Sequence, residues 1–139
     1  MDSNSLVIVL AGKNKALIDE LEKKFNKDKV RVIPYTKKVE IFMAASDILL
    51  SKPGGLSSTE AAVKGIPLIH TMPIPGCEAK NANFFSKKNM SIKATTIDEI
   101  VKSTNKLLNS NKLCFKLVKS QNMNINKLAT SDICDFILK

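Results

Sequence analysis

The sequence predicts an α/β fold, a parallel sheet with helices on both of its faces. Three observations point to it. Short apolar runs alternate along the chain with longer stretches whose apolar residues recur at helical spacing. The runs are continuously apolar rather than alternating, as in strands covered on both faces. Glycine and proline fall at the ends of the runs, where the chain must turn.

Each element has its own signal. Leu6–Ala11 is an apolar run ending at Gly12 and reads as the first strand. Asn14 can cap the helix that follows, with Leu17, Leu21 and Phe25 on one side. Val30–Ile33 is a second strand, stopped by Pro34. Lys37–Ala45 is a short helix with Val39, Phe42 and Met43 inward. Asp47–Ser51 is a third strand, broken by Pro53-Gly54-Gly55. Ser57–Lys64 is a helix bounded by the glycine pair before it and Gly65-Ile66-Pro67 after it. Pro67–His70 is a fourth strand, leading into a Pro/Gly-rich loop from Met72 to Gly76. A helix over Glu78–Lys87 and a short strand over Met90–Ala94 follow. Thr96 caps a helix to Leu108, with Glu99 at capping-box spacing. Lys112–Ser120 and Asn126–Leu138 close the chain as two helices. No linker or repeat interrupts the pattern, so residues 1–139 read as a single domain.

Composition narrows the function. With 139 residues and 44% hydrophobic content the chain can build a core. No apolar run approaches the roughly 18 residues that span a bilayer, and Met1–Ser5 has no leader pattern. Cys77, Cys114 and Cys134 are scattered and His70 is the only histidine, which argues against a zinc site or a disulfide framework and for a reduced, cytoplasmic setting. The net charge of +9 favours anionic partners. Arg31 is the only arginine and tryptophan is absent. That composition disfavours base readout and stacking, so no specific nucleic-acid partner is expected.

The densest stretch is Ser51-Lys52-Pro53-Gly54-Gly55-Leu56-Ser57-Ser58-Thr59-Glu60-Ala61-Ala62. A strand's carboxyl end runs through two glycines into a helix. Without β-carbons a ligand can approach the backbone closely, and a helix start offers unpaired N–H groups and partial positive charge. A diphosphate suits such a place at the carboxyl end of a parallel sheet. The spacing is neither a P-loop nor a dinucleotide fingerprint. The same residues also read as plain structure, a Gly-Gly turn followed by the capping box Ser57-x-x-Glu60.

The block Lys52–Pro67, followed by Pro73-Ile74-Pro75-Gly76-Cys77-Glu78-Ala79-Lys80-Asn81-Ala82-Asn83-Phe84-Phe85, resembles the C-terminal, UDP-sugar-binding half of processive diacylglycerol glucosyltransferases and monogalactosyldiacylglycerol synthases. These are GT-B enzymes of glycosyltransferase family 28. The resemblance runs from Leu6 to about Leu108 and implies a Rossmann-like domain. It implies that Gly54, Gly55, Leu56 and Ser57 hold the donor diphosphate and that Glu60 accepts hydrogen bonds from the ribose hydroxyls. Tyr35 and Thr36 would read uracil through their backbone, with Val39 against the base. Gly76, Cys77, Glu78 and Asn81 would face the donor sugar; Cys77 stands where relatives carry glutamine, which leaves the sugar's identity open.

The same resemblance implies what lies elsewhere. Relatives carry an acceptor-binding N-terminal domain and a further central strand before the one matching Leu6–Ala11, so the sheet is expected to lack a strand. Direct pairing of Leu6–Ala11 with Asp47–Ser51 would close that gap; otherwise the exposed edge invites self-association. The implied function is the donor half of a transferase moving a hexose, glucose or galactose, to a lipid such as diacylglycerol. The alternatives are a non-catalytic subunit of a split transferase and an inactive fragment. No catalytic residue, cofactor or metal is expected in this chain. The expected partners are a UDP-sugar and an acceptor-domain or membrane protein, at the cytoplasmic membrane face.

Overall fold

The computed structural model describes residues 5–138. The elements run β1 (Val7–Gly12), α1 (Lys15–Lys24), β2 (Val30–Pro34), α2 (Val39–Ala44), β3 (Leu49–Ser51), α3 (Gly55–Lys64), β4 (Leu68–Thr71), α4 (Cys77–Lys87), β5 (Ile92–Ala94), α5 (Ile97–Leu108), α6 (Asn111–Asn124) and α7 (Ala129–Ile137). Every predicted element is present in order, and the chain is α/β with parallel strands flanked by helices. It divides between Phe42 and Met43 into two compact units.

The first unit is a β-α-β arrangement. β1 pairs with β2 in parallel from Val7↔Val30 to Leu10↔Ile33, with an irregularity before Gly12, whose φ of 60° is left-handed. Asn14 caps α1, its side-chain oxygen accepting from the Leu17 amide at 3.1 Å. That amide is one of the donors a helix start leaves unpaired. Among its described residues none is fully buried: Leu6, Ile8 and Leu10 stay exposed, Leu10 at 40%. Val39, expected inward on α2, is exposed, while Met43 is buried. Among the described residues β2 is the only strand neighbour of β1, and β4 the only one of β3.

The second unit has a parallel sheet in the order β3-β4-β5. Successive side chains of a strand point to opposite faces, and β4 shows both faces covered. Leu68 packs with Ala61 and Ala62 of α3 and Phe85 of α4. Ile69 packs with Ala94, Leu107 of α5 and Leu117 of α6. Leu68 and Ile69 are both fully buried. Gly65 ends α3 with φ 71°, and a β-carbon there would meet Val118 Cγ1 at 3.2 Å. Close packing and a left-handed cap thus both require glycine. Gln121 of α6 is buried, and its Nε2 donates to the Ile66 and Met90 carbonyls, both at 2.9 Å. α6 is longer than the predicted Lys112–Ser120, and this buried amide lies in the added turn.

One local expectation is corrected. α3 begins at Gly55, not Ser57; Gly54 is its N-cap, in extended backbone (φ −68°, ψ 145°), with no side-chain cap bond. Ser57 therefore lies inside the first turn, and the capping box with Glu60 does not form. A box requires its serine at the non-helical N-cap position, and here glycine holds it.

Candidate functional site

The loop from β3 to α3 and the loop from β4 to α4 bring two helix N-termini to the carboxyl end of the second sheet. An α-helix leaves its first amides without carbonyl partners. In α3 the first amide with a carbonyl partner is Ser58 N, which donates to Gly54 O at 3.1 Å. The amides of Gly55, Leu56 and Ser57 precede it, and Gly54 has no side chain to occupy them. Leu56 is 82% exposed, Gly55 is exposed and Ser57 is half-buried, so the first turn lies at the surface. A β-carbon on Gly54 would lie 3.2 Å from Ser57 Oγ, so the glycine keeps that hydroxyl uncrowded. Ser57 Oγ makes only a long contact, 3.5 Å, to Gly54 O. Thr59 Oγ1 donates back to Gly55 O at 2.9 Å.

Glu60 is exposed on the next turn of α3, with no ion pair or hydrogen bond among the described residues. A carboxylate with both oxygens uncommitted can accept two hydroxyl hydrogen bonds. Released from the expected capping box, it is free for a ligand.

The second loop is held differently. Met72 leaves β4 with φ 39°, a conformation costly for a side chain of its size, and Gly76 has φ 105° at the N-cap of α4. Glu78 Oε2 accepts from the Ile74 amide at 2.9 Å, which closes the loop on itself. Asn81 Nδ2 donates to Pro53 O at 3.0 Å, across 28 residues of sequence. Glu78 and Asn81 are thus partly engaged in shaping the site, each keeping one oxygen for other partners. Cys77 is exposed at the first position of α4. Gly54, Gly55, Leu56, Ser57, Glu60, Gly76, Cys77, Glu78 and Asn81 accordingly lie on two tied helix starts.

Tyr35, Thr36 and Val39 belong to the first unit. Tyr35 is exposed, with Lys13 Nζ 5.3 Å from its ring centre. Thr36 Oγ1 accepts from the Lys38 amide at 3.0 Å, and Val39 opens α2. The Tyr35 ring already has a cation over it, so this segment's own free groups are backbone ones.

Sequence reasoning did not find the polar group beneath α3. His70, on the β4 face that carries Leu68, is fully buried. Its Nε2 lies 2.9 Å from Ser58 Oγ and its Nδ1 3.1 Å from Ser91 Oγ, with the Phe85 ring edge-on at 5.2 Å. Burial pushes the imidazole pKa down to about 4, so the ring is neutral at physiological pH. The signal was its position, a lone histidine in an otherwise apolar strand.

A cleft of about 260 Å³ in the second unit is rimmed by Lys102, Lys106 and Lys116. Among the described residues no group of three or more His, Cys, Asp or Glu is arranged around a metal, and no helix is long and apolar enough to cross a membrane.

Comparison with known proteins adds identity to this geometry. Residues 2–123 match the family described as glycosyl transferases group 1. The chain is 34% identical, over 98% of its length, to the processive diacylglycerol beta-glucosyltransferase of Staphylococcus aureus strain MRSA252, and equally to that of strain Newman. It spans about a third of those relatives, 35%, in their C-terminal part. Among solved structures it superposes on Acinetobacter baumannii MurG with a TM-score of 0.69 at 16% identity, covering 99% of this chain and 51% of that one. It superposes on WaaG, a glycosyltransferase involved in lipopolysaccharide biosynthesis, with a TM-score of 0.65 at 20% identity, covering 85% and 33%. The fold is thus that of the GT-B glycosyltransferases, and by its matched residues the chain belongs to the group 1 glycosyl transferases.

Proposed function

We propose that this chain binds the nucleotide-sugar donor of a hexosyltransferase acting on a lipid, with UDP-glucose or UDP-galactose as donor. The observation that carries this reading is the start of α3. Gly54, an N-cap without a side chain, leaves the Gly55, Leu56 and Ser57 amides free, and an unpaired Glu60 stands on the following turn. The amides and the helix dipole suit a diphosphate, and the carboxylate suits a ribose diol. Gly76, Cys77, Glu78 and Asn81 would then line the sugar, while the Tyr35–Thr36 backbone and Val39 would serve the uracil. When the acceptor hydroxyl displaces UDP from the anomeric carbon, negative charge grows on the leaving diphosphate, and the same amides would stabilise it.

The curated relatives, about three times as long, are named for diacylglycerol as acceptor. We take the acceptor site and the base that receives the hydroxyl proton to come from polypeptide outside these residues, placed at the cytoplasmic membrane face. A non-catalytic donor-binding subunit fits the same geometry. An edge of β1 or of β3 on which no strand pairs among the described residues is where a partner or a second copy would add one.

Calorimetric titration with UDP tests the donor reading. Binding is expected, unchanged by a chelator, because backbone amides rather than a divalent ion hold the diphosphate. Glu60→Ala should weaken it by roughly 1.5–3 kcal/mol, the range for hydrogen bonds to a charged group. Absence of UDP binding would remove the donor reading, and equal affinity of variant and wild type would remove Glu60 from the site.

A further inference from the structure

The buried Ser58–His70–Ser91 group has no part in the function proposed above, yet it touches the helix on which that function depends. Ser58 is the first residue of α3 whose amide is bonded within the helix, and its neighbours Gly55, Leu56 and Ser57 carry the free donors. It is 1% exposed and sits over β4. A neutral imidazole has one N–H and one lone pair, and a hydroxyl can donate or accept. The two serines can therefore satisfy both ring nitrogens at once, at 2.9 and 3.1 Å. Phe85 of α4 closes the ring edge-on, so the imidazole cannot swing away without repacking the core around Leu68. Burial alone is what lowers its basicity; no charged side chain contributes.

We propose that His70 is the positioning residue of the donor site. Through Nε2 and Ser58 it fixes the height and rotation of the first turn of α3, and so the aim of the Gly55–Ser57 amides. Nδ1 and Ser91 hold the ring in the plane that makes this possible. Asn81 ties down the preceding loop at Pro53 O, so the first turn is clamped from both sides. This proposal rests on the donor reading for its consequence, but the clamp itself is a property of the free chain. Affinity for a diphosphate depends on directed N–H groups, which lose strength steeply as they misalign. An interaction that never touches the ligand can therefore set affinity.

The two nitrogens can be tested separately. A glutamine amide reaches the place of Nε2, and an asparagine amide that of Nδ1. His70→Gln keeps the link to Ser58 and is expected to bind UDP within about threefold of wild type. His70→Asn keeps only the link to Ser91 and is expected to bind about tenfold more weakly, as is Ser58→Ala, the scale of one lost hydrogen bond. Hydrogen exchange on the ligand-free chain reads the clamp without UDP. The amides of Ser58–Ala61 should exchange about tenfold faster in His70→Asn and Ser58→Ala than in His70→Gln. Unfolding midpoints are expected to fall alike for Asn and Gln, so stability alone does not produce this pattern. If His70→Asn fails to fold, Ser58→Ala against His70→Gln decides. Equal exchange in the two decisive variants overturns the positioning role. A clear exchange difference in a chain that does not bind UDP keeps the clamp and removes the donor reading.

Discussion

The two units are built from the same parts and differ in what those parts cover. β1 and β4 are both apolar, parallel and followed by a helix. Leu10 on β1 is 40% exposed, while Leu68 and Ile69 on β4 have no exposure at all. Strand β4 has neighbours on both edges and helices over both faces, whereas among the described residues β1 has one strand neighbour, β2. Its side chains are those of a central strand. Local pattern thus specifies an element, while burial depends on how many other elements reach it.

The sharpest way to break this comparison is to truncate one leucine in each strand. Leu68→Ala should cost roughly 2–5 kcal/mol, the range for emptying a full core site. Leu10→Ala should cost less, about 1 kcal/mol, because the residue is 40% exposed and gives up less buried surface. Denaturant unfolding measures both. Comparable costs would mean that β1 is covered in solution, and a dependence on protein concentration would identify a second copy as the cover.

The next effect follows from His70. Its ordinary pKa of 6.5 falls to about 4 in the folded chain. Between these values the unfolded chain binds the extra proton, so stability rises with pH. It is full above about pH 6.5 and falls by on the order of 3 kcal/mol on descent to pH 4. His70→Gln should lack this slope. A flat wild-type profile over this range would mean the imidazole is not buried as a neutral group.

The smallest effect compares two helix starts. Thr96→Ala should cost about 1 kcal/mol, because Thr96 caps α5 in a formed capping box. Ser57→Ala, at the same spacing from a glutamate, should leave stability within roughly 0.5 kcal/mol, because it caps nothing. A cost equal to that of Thr96 would restore Ser57 as a cap and move the start of α3.

These contrasts also show what the sequence makes legible. The caps at Asn14 and Thr96 were readable because their partners lie three residues away. The Ser57–Glu60 pair has the same spacing but no box, since spacing does not say which residue leaves the helix, and Gly54 could. The strands were readable from continuous apolar runs. The residues at the start of α3 stood out through the glycine pair and the family resemblance. The ties that shape the site were not readable: Asn81 to Pro53 spans 28 residues, and His70 reaches Ser58 and Ser91 across 12 and 21. Such pairs exist only once the sheet has set its register. The division after Phe42 was equally hidden, since no change of composition marks it.

Gly54 carries one more consequence. A glycine N-cap leaves the first amides of α3 without the side-chain bond that Thr96 gives to α5, at a cost of only about a few tenths of a kcal/mol. An anion seated on the Gly55–Ser57 amides would supply that missing cap from outside the chain. On the donor reading proposed above, the bound nucleotide sugar would act as a folding ligand, and occupancy at a hundred times Kd would add about 2.7 kcal/mol to stability. On that same reading, the lifetime of the polypeptide in a cell would rise with the supply of nucleotide sugar.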